Sequence, residues 1–171
     1  MRNSALQYLG RYAATTSQFR RVMLRRIERS LAYHGGDRSV ALEELDRLVE
    51  QLVAEGHLDD ARYAAARAGD LHRRGTSLWG IRTKLRAKGL STELIDSALA
   101  SVSDEGEDPE MVSALAYARR RRLGPFRSGQ EPDASQRRRE LAAFARAGFP
   151  FGVAQRVVDA RNEQEFSEHR E

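Results

Sequence analysis

The sequence predicts an all-α protein built as three tandem three-helix repeats stacked into an elongated, curved array. Three observations lead there. Apolar residues recur every three or four positions along most of the chain, and glycines and capping residues interrupt that rhythm at short intervals. The stretch from Leu58 to Leu99 holds three such helices in succession, and the sequence on either side reads as looser copies of it. Sliding the chain on itself by 59 residues sets Leu85 on Phe144, Gly89 on Gly148, Leu94 on Val153, Ala98 on Val157 and Leu99 on Val158. The repeats then span residues 1–56, 57–103 and 104–160, followed by a polar tail over 161–171. Units this small cannot bury their own faces, so each must stack on its neighbours.

In the first repeat, Ala5, Leu6, Leu9 and Ala13 predict a helix over Ser4–Ala13. Thr16 or Ser17 caps the next helix, which carries Phe19, Met23, Leu24, Ile27 and Leu31 on one face and ends at Gly35-Gly36. Ser39 caps a third, with Leu42, Leu45, Leu48, Val49, Leu52 and Val53 as its stripe and Gly56 as its stop. The second repeat opens on Asp59 or Asp60 as a cap, with Arg73 and Arg74 at the negative end of the same helix. Ser77 caps a helix with Leu78, Ile81 and Leu85 inward and Gly89 at its end; Ser91 or Thr92 caps the next, with Leu94, Ile95, Ala98, Leu99 and Val102 on one face. A loop over 103–109 follows. The third repeat begins with Met111, Val112, Leu115 and Ala118, runs into Arg119–Arg122 and stops at Gly124-Pro125. A surface loop over Phe126–Asp133 leads to a helix over Ala134–Ala147 with Leu141, Phe144 and Ala145 on one side. The final helix, from Phe151 to about Ala160, buries Val153, Ala154, Val157 and Val158, and the rest is a frayed polar end.

Composition suits small helical layers better than one thick core: of 171 residues, 32% are charged and only 7% aromatic. The chain has no cysteine, which excludes disulfides and cysteine metal sites and fits a reducing compartment. Its first residues lack the apolar core of a signal peptide, and no apolar run is long enough to cross a bilayer; a soluble, cytoplasmic protein with no membrane partner is expected. A net charge of +4 and a pI of about 9.8 point to nucleic acid or an acidic protein surface as partner. Lysine occurs only at Lys84 and Lys88.

Charge alternates along the repeats. Thr16–Ser30 carries five arginines and one acid, Ser39–Asp60 one arginine and seven acids, Arg73–Lys88 six bases and no acid, and Ser91–Glu110 seven acids and no base. The third unit has eight arginines and two acids within Arg119–Asp133 and Arg137–Arg139. If equivalent helices face the same way, the bases align into a stripe suited to an elongated anionic partner. The alternative is that acidic third helices neutralise basic second helices internally.

No constellation for chemistry is present. Gly69–Thr76 has glycines at the wrong spacing for a phosphate loop, and no Gly-x-Gly-x-x-Gly occurs. His34, His57, His72 and His169 are scattered, with no pair at helical spacing for a metal. Asp59 and Asp60 are adjacent and point apart, as caps rather than paired catalytic carboxylates. No catalytic residue, cofactor or metal is expected. Trp79 lies off the Leu78–Ile81–Leu85 face, near Arg82, Thr83 and Arg86, where it either packs on an adjoining repeat or anchors a partner. A helix-turn-helix over Asp59–Lys88 with outward Arg82 and Arg86 is a further reading, opposed by the recurrence of the basic middle helix.

Leu58, Asp59, Asp60, Arg62, Tyr63 and Ala64, then Arg74-Gly75, Ile81, Leu85, Lys88, Gly89, Leu90, and Leu94, Ile95, Ala98 and Leu99 together resemble the RecX-type recombination regulators. The resemblance is strongest over Leu58–Leu99 and extends more weakly over residues 5–160; Trp79-Gly80 and the Phe126–Asp133 loop depart from it. It implies three tandem three-helix repeats with no catalytic residues. It also implies binding to the RecA recombinase filament on single-stranded DNA, which limits filament assembly, ATPase, strand exchange and coprotease activity in recombination, repair and the SOS response. Some members also bind DNA, so a regulator acting on DNA directly is the alternative, and weak DNA contact is compatible with both. A monomer is expected. The candidate partner contacts are Arg21 and Arg25; Arg73, Arg74, Trp79, Arg82, Arg86 and Lys88; and Arg120, Arg121, Arg137 and Arg138.

Overall fold

The computed structural model describes residues 1–102, 107–128 and 133–166. Among these residues the fold is all-helical, as expected. The elements are α1 (Arg2–Leu9), α2 (Thr16–His34), α3 (Arg38–Ala54), α4 (Asp60–Arg73), α5 (Leu78–Arg86), α6 (Thr92–Ala100), α7 (Pro109–Arg121), α8 (Ala134–Ala147) and α9 (Phe151–Asp159), with short 3-10 turns at Gly124–Phe126 and Glu163–Phe166. None of these helices is long and apolar enough to cross a membrane. The expected loop residues 103–106 and 129–132 and the tail from 167 onward, with His169, lie outside the described residues.

The chain divides into two compact units: Met1–Ala64 with Leu85–Ile95, and Ala65–Lys84 with Asp96–Glu171. In the first unit α2 lies against α3. Phe19, Met23 and Ile27 from α2 and Leu45, Leu48 and Leu52 from α3 interlock with Ala5 and Leu58 in one apolar cluster. The spacing of those residues is that of one helical face on each side. Val53, expected in the stripe, lies at its margin and is exposed. Helix α1 spans Arg2–Leu9 and not Ser4–Ala13, with Gly10 as its C-cap.

Two caps differ from expectation. Thr15, not Thr16 or Ser17, caps α2: its backbone is extended, and its hydroxyl accepts from the Gln18 amide at 3.1 Å. Thr16 is already helical, so its side chain cannot fold back over the first turn. Asp37, not Ser39, caps α3, its carboxylate accepting from the amides of Ser39 and Val40 and from the Ser39 hydroxyl. The Ser39 hydroxyl bond, then those from the amides, holds the Asp37 carboxyl below its ordinary value. Asp59, Ser77 and Ser91 cap as expected, each accepting an amide of the following turn.

In the second unit Tyr117, Phe144 and Phe149 form a triangle of rings 5.1–5.4 Å apart, within a cluster that includes Met111, Ala114, Ala154, Val157 and Val158. His72 is buried here, its Nε2–H donating to the Pro109 carbonyl at 2.7 Å. Displaced by 59 residues, α6 coincides end for end with α9. Ala145, expected on the inner face of α8, is exposed; the buried side runs through Glu140 and Phe144, Glu140 being only 4% exposed. Its carboxylate accepts from the Gly124 amide at 2.9 Å and from the Arg127 guanidinium at 2.9 and 3.2 Å, and Arg127 also donates to the Val158 carbonyl. Phe126 and Arg127 are therefore part of this unit's packing and not the start of a surface loop. A buried carboxylate needs such partners, and Arg127 supplies both charge and fork geometry.

One joint is built twice. In the first unit the Thr15 hydroxyl donates to the Lys88 carbonyl at 2.6 Å, while the next amide, of Thr16, donates to Asp60 at 2.7 Å. In the second unit the Ser77 hydroxyl donates to the Ala147 carbonyl at 2.7 Å, while the next amide, of Leu78, donates to Glu110 at 3.2 Å. Each accepting carbonyl precedes a glycine with positive φ, Gly89 at 81° and Gly148 at 84°, where a side chain would be strained and would collide with the cap-bearing helix. Helix start, acid and glycine stop thus form one recurring contact. Burial, then the charge of Asp108, raises the Glu110 carboxyl above its ordinary value, against the lowering effect of the Leu78 amide.

Candidate partner-binding surface

The candidate cations sort by what holds them. Arg82 of α5 is paired with Asp96 of α6 at 2.5 Å and Arg137 of α8 with Asp159 of α9 at 2.6 Å; in the first unit Arg20 of α2 is likewise paired with Asp46 of α3 at 2.8 Å. In each of these pairs an acid on one helix neutralises a base on the helix before it. The Asp159 carboxyl is lowered and the Arg137 guanidinium raised by the hydrogen bond between them. Arg73 is tied to Asp70 within α4, and Arg138 to the Ala134 carbonyl within α8. These four candidates have part of their hydrogen-bonding capacity already committed.

The remaining cations are differently placed. Arg21 and Arg25 on α2 and Arg86 on α5 are exposed, Lys88 is half-exposed, and none is ion-paired with a described residue. Arg74 lends its carbonyl to Arg120, whose guanidinium also lies 5.9 Å from the Tyr117 ring centroid. Arg120 and Arg121, near the end of α7, line an open cleft of 430 Å³ with Tyr117, Ala143, Arg146 and Ala147. Three arginines lining one hollow make a positive field that favours a phosphate or carboxylate. Trp79 is 63% exposed, yet part of its indole lies against Gly148, so the residue is both packed and presented.

Among the described residues, no three His, Asp or Glu side chains are grouped so as to hold a metal ion. The sequence reading missed Arg146, which shares the cleft, and Glu140, which organises the Arg127 side. Glu140 was legible: with Phe144 and Ala147 it falls at helical spacing, which puts an acid on an apolar face. Arg146 carried no comparable signal.

A family model described as RecX, second three-helix domain, matches residues 59–99, the segment that folds as α4, α5 and α6. Regulatory protein RecX of Myxococcus xanthus is 44% identical over 160 residues, covering 94% of this chain and 84% of that protein. The chain belongs to the RecX family of regulatory proteins. Regulatory protein RecX of Agrobacterium fabrum is 32% identical over 163 residues, covering 95% of this chain and 84% of its own length, and that of Mycobacterium ulcerans is 34% identical over 122 residues, covering 67% and 64%.

The residues that carry the RecX resemblance are structural. Leu58, Ile81, Leu85 and Ile95 are buried, and Tyr63, Leu94 and Leu99 are half-buried. Asp59 caps α4, Asp60 receives the Thr16 amide, and Arg62 closes back on the Gly56 carbonyl at 3.1 Å. Gly75 abuts the Tyr117 backbone so closely that a Cβ has no room.

Proposed function

We propose that this chain is a non-enzymatic regulator that binds the RecA recombinase filament on single-stranded DNA and restrains its assembly, ATPase, strand exchange and coprotease activity in recombination, repair and the SOS response. In this reading the protein is a cytoplasmic monomer organised as three tandem repeats over 1–56, 57–103 and 104–160. The twice-built joint and the matching spans of α6 and α9 support that organisation. Membership of a family whose relatives are named as regulatory proteins over most of their length carries the functional reading. The free cations support it physically: Arg21 and Arg25 on α2, Arg86 on α5 and Arg121 on α7 are exposed on separate helices, and several weak contacts along one chain give avidity without one strong site.

Occlusion is the mechanism: contacts to more than one recombinase subunit compete with subunit addition and with movement of the filament groove. The protein titrated into recombinase assembled on single-stranded DNA slows ATP hydrolysis at substoichiometric amounts; hydrolysis unchanged at excess protein overturns the proposal. The arginine cleft of α7 and α8 favours one rival, a regulator that grips DNA phosphates directly. That rival requires tight binding to naked DNA that weakens steeply with salt. A pull-down against filament and naked DNA in parallel separates the two.

A further inference from the structure

The arginines near the ends of α7 and α8 are committed unequally. Arg119 is bonded to Glu163 and lies 5.0 Å from the Phe126 ring centroid. Arg120 is anchored twice, by the Arg74 carbonyl at 2.6 Å and by the Tyr117 ring, and is nevertheless exposed. Arg121 and Arg146 are exposed too, and their guanidinium groups make no ion pair or hydrogen bond with a described residue. Arg120, Arg121 and Arg146 are the three that line the 430 Å³ cleft, with Tyr117, Ala143 and Ala147 as its other walls.

Among the described residues no acid lines this cleft. Its neutral polar groups are already engaged: the Tyr117 hydroxyl donates to the Ala143 carbonyl at 3.2 Å, and the Ala147 carbonyl accepts from Ser77 at 2.7 Å. Helices α7 and α8 both end beside it, at Arg121 and Ala147, and each end contributes about half a negative charge. Three arginines outweigh two such ends and leave roughly two positive charges at one hollow. That density sorts the anions. A strand phosphate or a side-chain carboxylate brings one charge, and its neighbours lie farther along their chain. A terminal phosphate brings about 1.5 to 2 negative charges, and phosphates joined to it by anhydride bonds add theirs at the same spot. The Tyr117 ring is covered by Arg120, so no base stacks inside and the phosphates alone are recognised.

We propose that this cleft binds polyphosphate, a run of anhydride-linked phosphates from an inorganic chain or a nucleoside triphosphate, gripped by Arg121 and Arg146 beside the anchored Arg120. The inference stands apart from the function proposed above, because it requires no recombinase. The isotope-labelled full chain is titrated with tripolyphosphate, ATP, inorganic phosphate, oligothymidine and the peptide Asp-Glu-Asp-Glu. Tripolyphosphate shifts the amides of Arg121, Arg146 and Ala147 saturably, and inorganic phosphate binds at least about tenfold more weakly. ATP that binds at least as tightly as tripolyphosphate identifies the nucleotide as the source, and ATP that binds more weakly identifies the inorganic chain. Arg121→Gln keeps its melting temperature and weakens tripolyphosphate about tenfold, and Arg146→Gln does the same where Arg121→Gln does not fold. Arg156→Gln removes the same charge from an exposed position on α9 that does not line the cleft, and leaves binding unchanged. The site is overturned by equal affinity for inorganic phosphate, by undiminished binding in a folded cleft variant, or by an equal loss in Arg156→Gln, which marks diffuse charge. Tighter binding of oligothymidine or of the acidic peptide at these amides also overturns it and makes the cleft a contact for a strand or for a protein.

Discussion

Ser77 donates its hydroxyl proton to the Ala147 carbonyl at 2.7 Å while its oxygen accepts from the Gly80 amide at 3.1 Å. One side chain therefore starts α5 and fastens it to the end of α8, and Thr15 does the same between α2 and the Lys88 carbonyl.

Replacing Ser77 by Ala removes the cap and leaves the Ala147 carbonyl without this donor. The expected loss is about 2 kcal/mol, roughly 1 from the cap and 1 from the second hydrogen bond. Urea unfolding measures it; a loss below about 0.5 kcal/mol shows that water replaces the hydroxyl at no cost.

Gly148→Ala is expected to destabilise strongly, by more than about 2 kcal/mol, because positive φ is combined with the Trp79 ring at the Cβ position. Gly152→Ala is the contrast. It lies in α9 with nothing within 4 Å of the added Cβ, and the helix gains up to about 1 kcal/mol. Melting curves that both fall contradict the Gly152 assignment, and curves that both rise contradict that of Gly148.

Glu140→Gln keeps the shape and removes the charge facing Arg127. With Glu140 and Arg127 both largely buried, the loss is expected near 3 kcal/mol, and Glu140→Leu with Arg127→Met recovers much of it. A double-mutant cycle gives the coupling; additive losses show that the two side chains act independently.

Glu110 makes a pH prediction. Burial raises its carboxyl above the ordinary 4.5, so the folded state holds this proton more tightly than the unfolded chain. Its contribution is fully present below 4.5 and is lost as pH rises through the raised value in the folded protein. Wild type measured against Glu110→Gln therefore falls in relative stability across that window and is level above it. A difference independent of pH contradicts the assignment.

The helices were legible because periodicity and stop residues are local. Leu45, Leu48 and Leu52 or Ala154, Val157 and Val158 announce a buried face without any knowledge of what covers it. Cap identity at α2 and α3 was misread by one to two residues, since Thr15, Thr16 and Ser17 all carry hydroxyls and only backbone conformation distinguishes them. At the candidate surface the residue types were legible and their pairing was not: Arg82 and Arg86 look alike in sequence, yet Asp96 holds the first.

The sequence by itself determined the all-helical class, the succession of elements, the special weight of Leu58–Leu99 and the absence of a phosphate-binding glycine motif, because each depends on residues within a turn or two of one another. Tertiary structure alone decided which arginines are held by acids, that Glu140 and Arg127 meet in the interior, and that the start of α2 or α5 is fastened to an acid and a glycine stop far along the chain. Those contacts join residues tens of positions apart. Their energies depend on distance and burial, which no local pattern encodes.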